Sequence, residues 1–182
     1  MNRHILTPPV LTPSALAELK QWLGITTAHD DAPLAALIAT SLDVCEGFTG
    51  QMPLAASCEE LLPACGGWQA LATRPVQAIA GLSRIAADGT LTALATGDYE
   101  TDLGPDGTGR VRLLQPALPG RLVVSFTAGL VPEWEDLPDS LRHGLIRLAA
   151  HQHRQRESGG GAILPPASVA ALWRPWRRLR IA

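Results

Sequence analysis

The hydrophobic pattern of this chain changes period twice, and that change limits the folds available to it. Apolar residues recur every three or four positions before Gly50 and again from Leu137, as they do along one face of an α-helix. Between Ser57 and Gly129 the apolar segments are short, strand-like and separated by turn sequences. We therefore predict an α+β fold: a small helical bundle with an inserted antiparallel β module and an extended C-terminal tail.

Three segments carry the helical pattern: Ser14–Leu23, Asp31–Phe48 and Leu137–Glu157. We expect Thr12 to cap the first of them, because Pro at the following position suits a helix start. Asp136 is the expected cap of the third. Helices from the two ends of the chain are expected to pack together, with the β module between them in sequence.

The strand-like region contains one strong turn signal, Ala87-Asp-Gly-Thr90, because Asp-Gly accepts the positive φ angles of tight hairpins. The predicted strands are Val76–Ile85, Leu91–Leu94, Gly97–Thr101, Gly109–Leu114 and Arg121–Thr127. The predicted divisions are N-terminal helices over residues 1–56, the inserted β module over 57–132, the long helix completing the bundle over 133–158, and a hinge and tail over 159–182.

Composition favours a folded protein. The 182-residue chain is 46% hydrophobic and 18% charged, which is enough apolar material for the core of one domain. No apolar run reaches the ~18 residues of a membrane span, and no signal-peptide pattern precedes the first helix, so we expect a cytosolic product without membrane contact. The cysteines (Cys45, Cys58 and Cys65) form no CxxC pair and are expected to be reduced thiols.

The net charge of −2 hides a strong asymmetry along the chain. Residues 1–141 contain seven Lys and Arg against sixteen Asp and Glu, whereas residues 142–182 contain eight Arg against one Glu. This split suggests that one end meets an acidic partner while the other faces something different, a neighbouring copy of the chain among the options.

Three features invite a chemical interpretation, and each has a simpler structural one. A zinc-binding helix needs histidines four residues apart, whereas His143, His151 and His153 are spaced by eight and two. The glycine-rich segment 104–110 lacks the Lys of a phosphate loop and predicts a flexible hairpin loop. The acids before the third helix predict solvated capping charge; they are Glu133, Glu135, Asp136 and Asp139. We predict no catalytic residue, no metal ligand and no cofactor.

The C-terminal tail is the best candidate for a binding site. Beyond the glycines at 159–161 it places large apolar residues among arginines, and Pro175 prevents a continuous helix. Trp and Arg often dominate interface energies. The predicted partner-binding residues are Trp173, Arg174, Pro175, Trp176, Arg177, Arg178, Leu179, Arg180 and Ile181. Three interpretations stay open: docking on another protein, folding back onto the chain's own core, and nucleic-acid contact by the arginines.

In the order of its features, the chain resembles the head–tail connector (adaptor) proteins of tailed phages and phage-derived gene transfer agents. The resemblance covers nearly the whole chain. It consists of a Leu-Thr-Pro opening, two helices ending at Phe48-Thr-Gly50, Trp68 and Leu71 before Arg74-Pro-Val76, Asp88-Gly89, Val124-Ser-Phe-Thr-Ala-Gly129, Leu137-Pro138, Arg156-Glu157, Leu164-Pro165, Ala171-Leu172 and Pro175-Trp-Arg177. Trp176 is a departure, because relatives often carry Tyr at that point.

The resemblance implies a structural protein, not an enzyme: a subunit of a ring, commonly twelve-fold, beneath the portal of a virion or phage-like particle. The implied partners are further copies of the chain, the portal protein, the next tail-proximal protein (a stopper or tail terminator) and DNA that passes through the channel without sequence specificity. The implied location is the head–tail junction of a particle assembled in the bacterial cytoplasm, with the tail residues docking on the portal. The alternative is a nucleic-acid-binding protein that uses its Arg-rich C-terminus.

Overall fold

The computed structural model describes residues 3–86, 88–115, 120–155 and 164–178, and the chain divides into two compact units. The β unit consists of Met1–Pro8 and Ala55–Gly129, and the helical unit consists of Pro9–Leu54 and Leu130–Ala182. The predicted α+β class, with an antiparallel β module inserted between helices, is confirmed.

The described residues of the helical unit form four α-helices: α1 (Pro13–Leu23), α2 (Asp31–Thr49), α3 (Asp139–Gln155) and α4 (Ala167–Trp173). The first two end at Gly24 and Gly50, which both have a φ of 73°, a conformation that favours glycine. The helices bury one apolar core whose largest members are Trp134, Trp173, Leu19, Leu34, Ile38, Leu141 and Leu145. Helices from the two ends of the chain therefore pack together, as the periodicity predicts.

The start of α3 differs from the prediction. Residues Trp134–Asp136 form a separate 3₁₀ turn, and α3 begins only at Asp139. The carbonyl of Pro138 accepts the first helical hydrogen bonds, from the backbone N–H groups of Leu141 and Arg142. Asp136 therefore does not cap the helix. The indole of Trp134 is fully buried, and anchoring it in the core keeps this segment in a turn of its own.

The β unit contains a five-stranded sheet in the order β1-β2-β8-β4-β5 and a three-stranded sheet in the order β3-β7-β6, and every pairing between these strands is antiparallel. Its strands are β1 (Arg3–Thr7), β2 (Ala56–Pro63), β3 (Gln69–Ala70), β4 (Val76–Ile85), β5 (Leu91–Ala93), β6 (Tyr99–Leu103), β7 (Gly109–Leu113) and β8 (Arg121–Ala128). Three strands were not among those predicted: β1, because residues 3–7 lie within a segment assigned to the N-terminal helices, and β2 and β3, which precede the first predicted strand.

The central strand β8 sets the register of the larger sheet. Its buried residues alternate along one face, with Leu122, Val124, Phe126 and Ala128 pointing into the core of the unit. On β2 the same face carries the buried carboxylate of Glu60, which accepts hydrogen bonds from the backbone N–H groups of Ala72 and Thr73. These bonds satisfy the carboxylate inside the fold.

Both predicted hairpin turns are present. Between β4 and β5, the backbone N–H of Ala86 donates to the carbonyl of Thr90, and Gly89 supplies the positive φ of 86°. Asp88 has no positive φ. It accepts the backbone N–H of Thr90, which holds the pKa of its carboxyl below the usual value. In the β6–β7 loop, Asp106 is similarly engaged, accepting from the N–H and hydroxyl of Thr108.

All three cysteines are free thiols, as predicted, with Cys45 and Cys58 buried and Cys65 exposed. Burial raises the pKa of Cys45 to about 12, so its thiol stays protonated at neutral pH. Within the described parts of the chain, no helix combines the length and apolarity needed to cross a membrane.

Candidate partner-binding site

The predicted tail begins, in the structure, with a helix that belongs to the core. Trp173, the last residue of α4, is fully buried, and its indole Nε1–H donates to the carbonyl of Leu141 at 3.3 Å. Its ring lies against Gly144 of α3, where any side chain would overlap the indole. Phe48 of α2 packs at a tilt, with ring centroids 6.1 Å apart. Trp173 is therefore a core residue of the helical unit.

After Trp173 the chain stays attached to the helical unit. Pro175 interrupts the helix, as predicted, and Arg174–Trp176 form a 3₁₀ turn. The half-buried Trp176 donates from Nε1 to the hydroxyl of Ser140 at 2.9 Å, while its carbonyl accepts from the side-chain amide of Gln51 at 2.5 Å. The backbone N–H of Arg178 donates to the carbonyl of Thr49 at 2.9 Å.

The three interpretations of the tail thus apply to different residues. Trp173 and Trp176 fold back onto the core of their own chain. Arg174, Pro175 and Arg177 are exposed and Arg178 is half-buried, so their side chains are the ones that a partner can reach. The guanidinium of Arg177 lies over the Phe48 ring, 5.5 Å from its centroid. Leu179, Arg180 and Ile181 lie outside the described residues.

A second surface of the helical unit was not predicted. A groove of about 660 Å³ lies between α1 and α3, and Trp22 at its edge is 45% exposed. The ring of His143 meets Trp22 edge-on, with centroids 5.2 Å apart. The sequence does contain a signal, since Trp22 lies outside the stripe of Leu16, Leu19 and Leu23 that faces the core.

Charged side chains line the same groove. Arg142 donates to the carboxylate of Asp139 at 3.0 Å and lies 3.9 Å from that of Glu18. The side chain of Asp139 is 95% exposed, whereas Glu18 also accepts a bond from the indole of Trp134 at 3.2 Å. The groove thus combines a half-exposed indole with two carboxylates and the Arg142 guanidinium that pairs with them.

The acids before α3 are not all solvated caps. Glu135 accepts hydrogen bonds from the hydroxyls of Ser14 and Thr12 at the start of α1. The bond from Ser14, followed by the bond from Thr12, holds the pKa of Glu135 below its usual value. Thr12 precedes α1 but makes no side-chain cap, because its hydroxyl is used in this long-range contact.

The three histidines that were considered as zinc ligands do not share one site. His143 lines the groove, and the half-buried His151 and His153 lie in the last turns of α3. Across the described residues, no three His, Cys, Asp or Glu side chains are grouped closely enough to hold a metal ion.

Comparison with known proteins relies on structure, because no family model and no curated protein sequence matches the chain. One similar chain comes from the neck of an empty gene transfer agent (GTA) particle computed with C6 symmetry; it has a TM-score of 0.79 and 27% identity, and the match covers 100% of this chain and 98% of the other. A chain from the virion of a native GTA particle gives a TM-score of 0.75 and 28% identity, covering 100% and 98%. A third, from the neck of a native GTA particle computed with C12 symmetry, gives 0.72 and 28%, covering 98% and 97%.

The resemblance to the head–tail connector family is confirmed. The similar chains are structural components of a particle and not enzymes, so the prediction of a non-enzymatic, structural protein is confirmed as well. Two of these chains belong to the neck of a GTA particle, which agrees with the head–tail junction that the resemblance implies.

Proposed function

We propose that this protein is an adaptor subunit that forms a ring in the neck of a phage-like particle and joins the portal to the tail. The observation that carries the proposal is the similarity to GTA neck chains over 98 to 100% of this chain and 97 to 98% of theirs. A match of that extent includes both units of the fold, so it concerns the whole of this chain and not a single shared module.

A ring suits the charges of the chain. Closed rings are built from heterologous contacts, in which one face of a subunit meets a different face of the next. The acids concentrated in residues 1–141 and the arginines concentrated in residues 142–182 supply the opposite charges from which such contacts can be built. In the proposed ring, further copies of the chain surround a channel through which DNA passes without sequence-specific contacts, and the next tail-proximal protein binds the face away from the portal.

The portal-docking part of the proposal begins after Trp176. Trp173 and Trp176 hold the chain on the helical unit, so we assign portal docking to the residues that follow Trp176. Those residues are Arg177, Arg178, Leu179, Arg180 and Ile181. Short segments repeated around a ring bind together, and avidity makes a modest affinity of each one sufficient.

Removing only the last four residues tests this docking. A chain that ends at Arg178 keeps every described contact of Trp173 and Trp176, whereas truncation after Gly161 would also remove these core residues. We expect the shorter chain to keep its unfolding temperature and to bind the portal at least about tenfold more weakly. The affinity is measured by binding of each chain to portal protein immobilised on a surface. Equal binding of the two chains contradicts portal docking by the terminal residues.

The nucleic-acid alternative is distinguished in the same preparation. Binding through arginines to a phosphate backbone weakens steeply as salt rises. We expect the full-length chain to bind the portal protein, and we expect its binding to duplex DNA to be weak even at low salt. Strong, salt-sensitive DNA binding together with no ring and no portal binding would contradict the adaptor function.

A further inference from the structure

We infer that the groove between α1 and α3 binds the C-terminal 3₁₀ turn of a neighbouring copy of this chain, with Arg174 entering beside Trp22. The inference rests on the proposed ring and names the two surfaces that meet within it. Both surfaces belong to the helical unit, and neither is used by the residues assigned to the portal.

The groove has the chemistry of an arginine site. Trp22 presents an aromatic face, on which a guanidinium stacks by cation–π attraction. Asp139 accepts one described hydrogen bond, from Arg142, and a carboxylate has room for further donors. Glu18 adds a second negative charge at the same groove, so the two carboxylates outnumber the single guanidinium of Arg142 that pairs with them. An aromatic face beside carboxylates favours the planar, multiply donating guanidinium over an ammonium group.

Arg174 is the arginine of the tail that is available to such a site. Its side chain is exposed, and in the parts of the chain that the structure describes it forms no ion pair. Arg177, in contrast, lies over Phe48 of its own subunit, and Arg178 is half-buried and engaged within the chain. The choice of Arg174 therefore follows from the interactions that its neighbours already make.

The backbone around Arg174 is held in place before any partner arrives. Trp173 is bonded to the Leu141 carbonyl on one side of it, and Trp176 is bonded to Ser140 and Gln51 on the other. An interface residue presented by a fixed backbone loses less conformational entropy on binding than one on a free chain end. The 3₁₀ turn thus offers a pre-ordered arginine.

The two surfaces lie on different sides of α3. Ser140 and Gly144 contact the C-terminal segment, whereas Arg142 and Ile146 line the groove with α1. A copy of the chain can therefore bind one neighbour through its groove and another through its 3₁₀ turn. This is the arrangement that a heterologous ring requires.

Charge reversal at each surface provides the test. In Asp139→Lys the groove repels Arg174, and in Arg174→Glu the turn repels the groove. We expect each variant alone to need more than about tenfold higher protein concentration than wild type for half-maximal assembly. Assembly of the full-length chain is measured by sedimentation velocity, alone and with the portal protein of the same particle.

Mixing the two variants gives the decisive measurement. In an alternating ring every groove that carries Asp139→Lys faces a turn that carries Arg174→Glu, and every unchanged groove faces an unchanged Arg174, so all contacts are attractive. The similar necks were computed with C6 and C12 symmetry, and a ring with an even number of subunits permits alternation. We expect an equimolar mixture to assemble within about threefold of the wild-type concentration.

Matched controls carry the same charge changes elsewhere. Glu133→Lys and Arg154→Glu alter exposed residues that form no ion pair in the described residues, and should assemble as wild type does. Rings from each single variant at the wild-type concentration would overturn the inference while leaving the adaptor function intact, and so would failure of the mixture to assemble. A wild-type chain that forms no ring under either condition would overturn both.

Discussion

On α3, Gly144 faces Trp173 of α4, whereas the adjacent His143 faces Trp22 of α1. The first indole is fully buried with its N–H bonded, and the second is 45% exposed and touched edge-on. The missing side chain at Gly144 lets one helix approach closely enough to enclose a tryptophan. The imidazole of His143 occupies the corresponding space on the other side. Two similar residues therefore fill the core of the helical unit on one side and line an open groove on the other.

The largest expected difference between the two sides is in stability. Trp173→Ala leaves a large cavity in the helical unit and should lower the free energy of unfolding by about 3–5 kcal/mol. Trp22→Ala removes a half-exposed ring and one aromatic contact, and should cost less than about 1.5 kcal/mol. Denaturant unfolding of both variants measures the difference. Equal losses would show that the two tryptophans are not distinguished by burial.

The glycine itself provides the next test. Replacing a helical Gly by Ala usually raises the free energy of unfolding by up to about 1 kcal/mol. At Gly144 the added methyl group meets the buried Trp173 ring, so we expect Gly144→Ala to destabilise by about 1–3 kcal/mol.

Gly47 is the matched control, because it is exposed within α2 and a methyl group there meets nothing within 4 Å. Gly47→Ala should be neutral or stabilising in the same unfolding experiment. A stabilised Gly144→Ala would mean that the close approach of α3 and α4 is not set by this glycine.

The smallest expected effect concerns pH and the α1 side. Glu135 has a lowered pKa, so the bonds from Ser14 and Thr12 stabilise the fold above the usual pKa of 4.5 and lose that effect as pH falls through the lower folded-state pKa. Glu135→Gln should therefore lower the melting temperature slightly at pH 7 and change it little in strong acid.

Glu133→Gln serves as the control for that variant, because Glu133 is exposed and makes no side-chain hydrogen bond within the described ranges. It should leave the melting temperature unchanged at both pH values. If the melting temperature of Glu135→Gln stays below that of the wild type in strong acid, the effect does not come from the carboxylate charge. The contact between α3 and α4 is apolar and neutral, so its contribution should not follow this pH dependence.

Much of the fold was predictable because it depends on local patterns. The stripes of α1 and α2 and the alternation in β4 and β8 appear in the structure within a residue or two of the predicted bounds. Strands β1, β2 and β3 and the helix α4 were not among the predicted elements; Arg3–Thr7, for example, is too short to reveal its distant partner β2. The 3₁₀ turn before α3 was missed because the anchor of Trp134 is a tertiary contact.

The candidate sites were predictable only in part. The sequence identified the aromatic and basic residues of the tail, and it predicted that Pro175 interrupts the helix. It left open whether Trp173 faces a partner or the core, because both outcomes suit a tryptophan beside an arginine. The groove at Trp22 could not be found from one helix, as its wall is supplied by Asp139 and His143 of another.

By itself, the sequence determined the classes of element, their order and the separation of acidic from basic residues, since periodicity and charge are properties of neighbours along the chain. The tertiary structure alone decided which tryptophan is buried. That choice depends on the space between helices, and the space is set by single residues such as Gly144, far from Trp173 in sequence. Burial depends on residues that are distant in sequence and packed together in the fold, so no local sequence pattern could predict it.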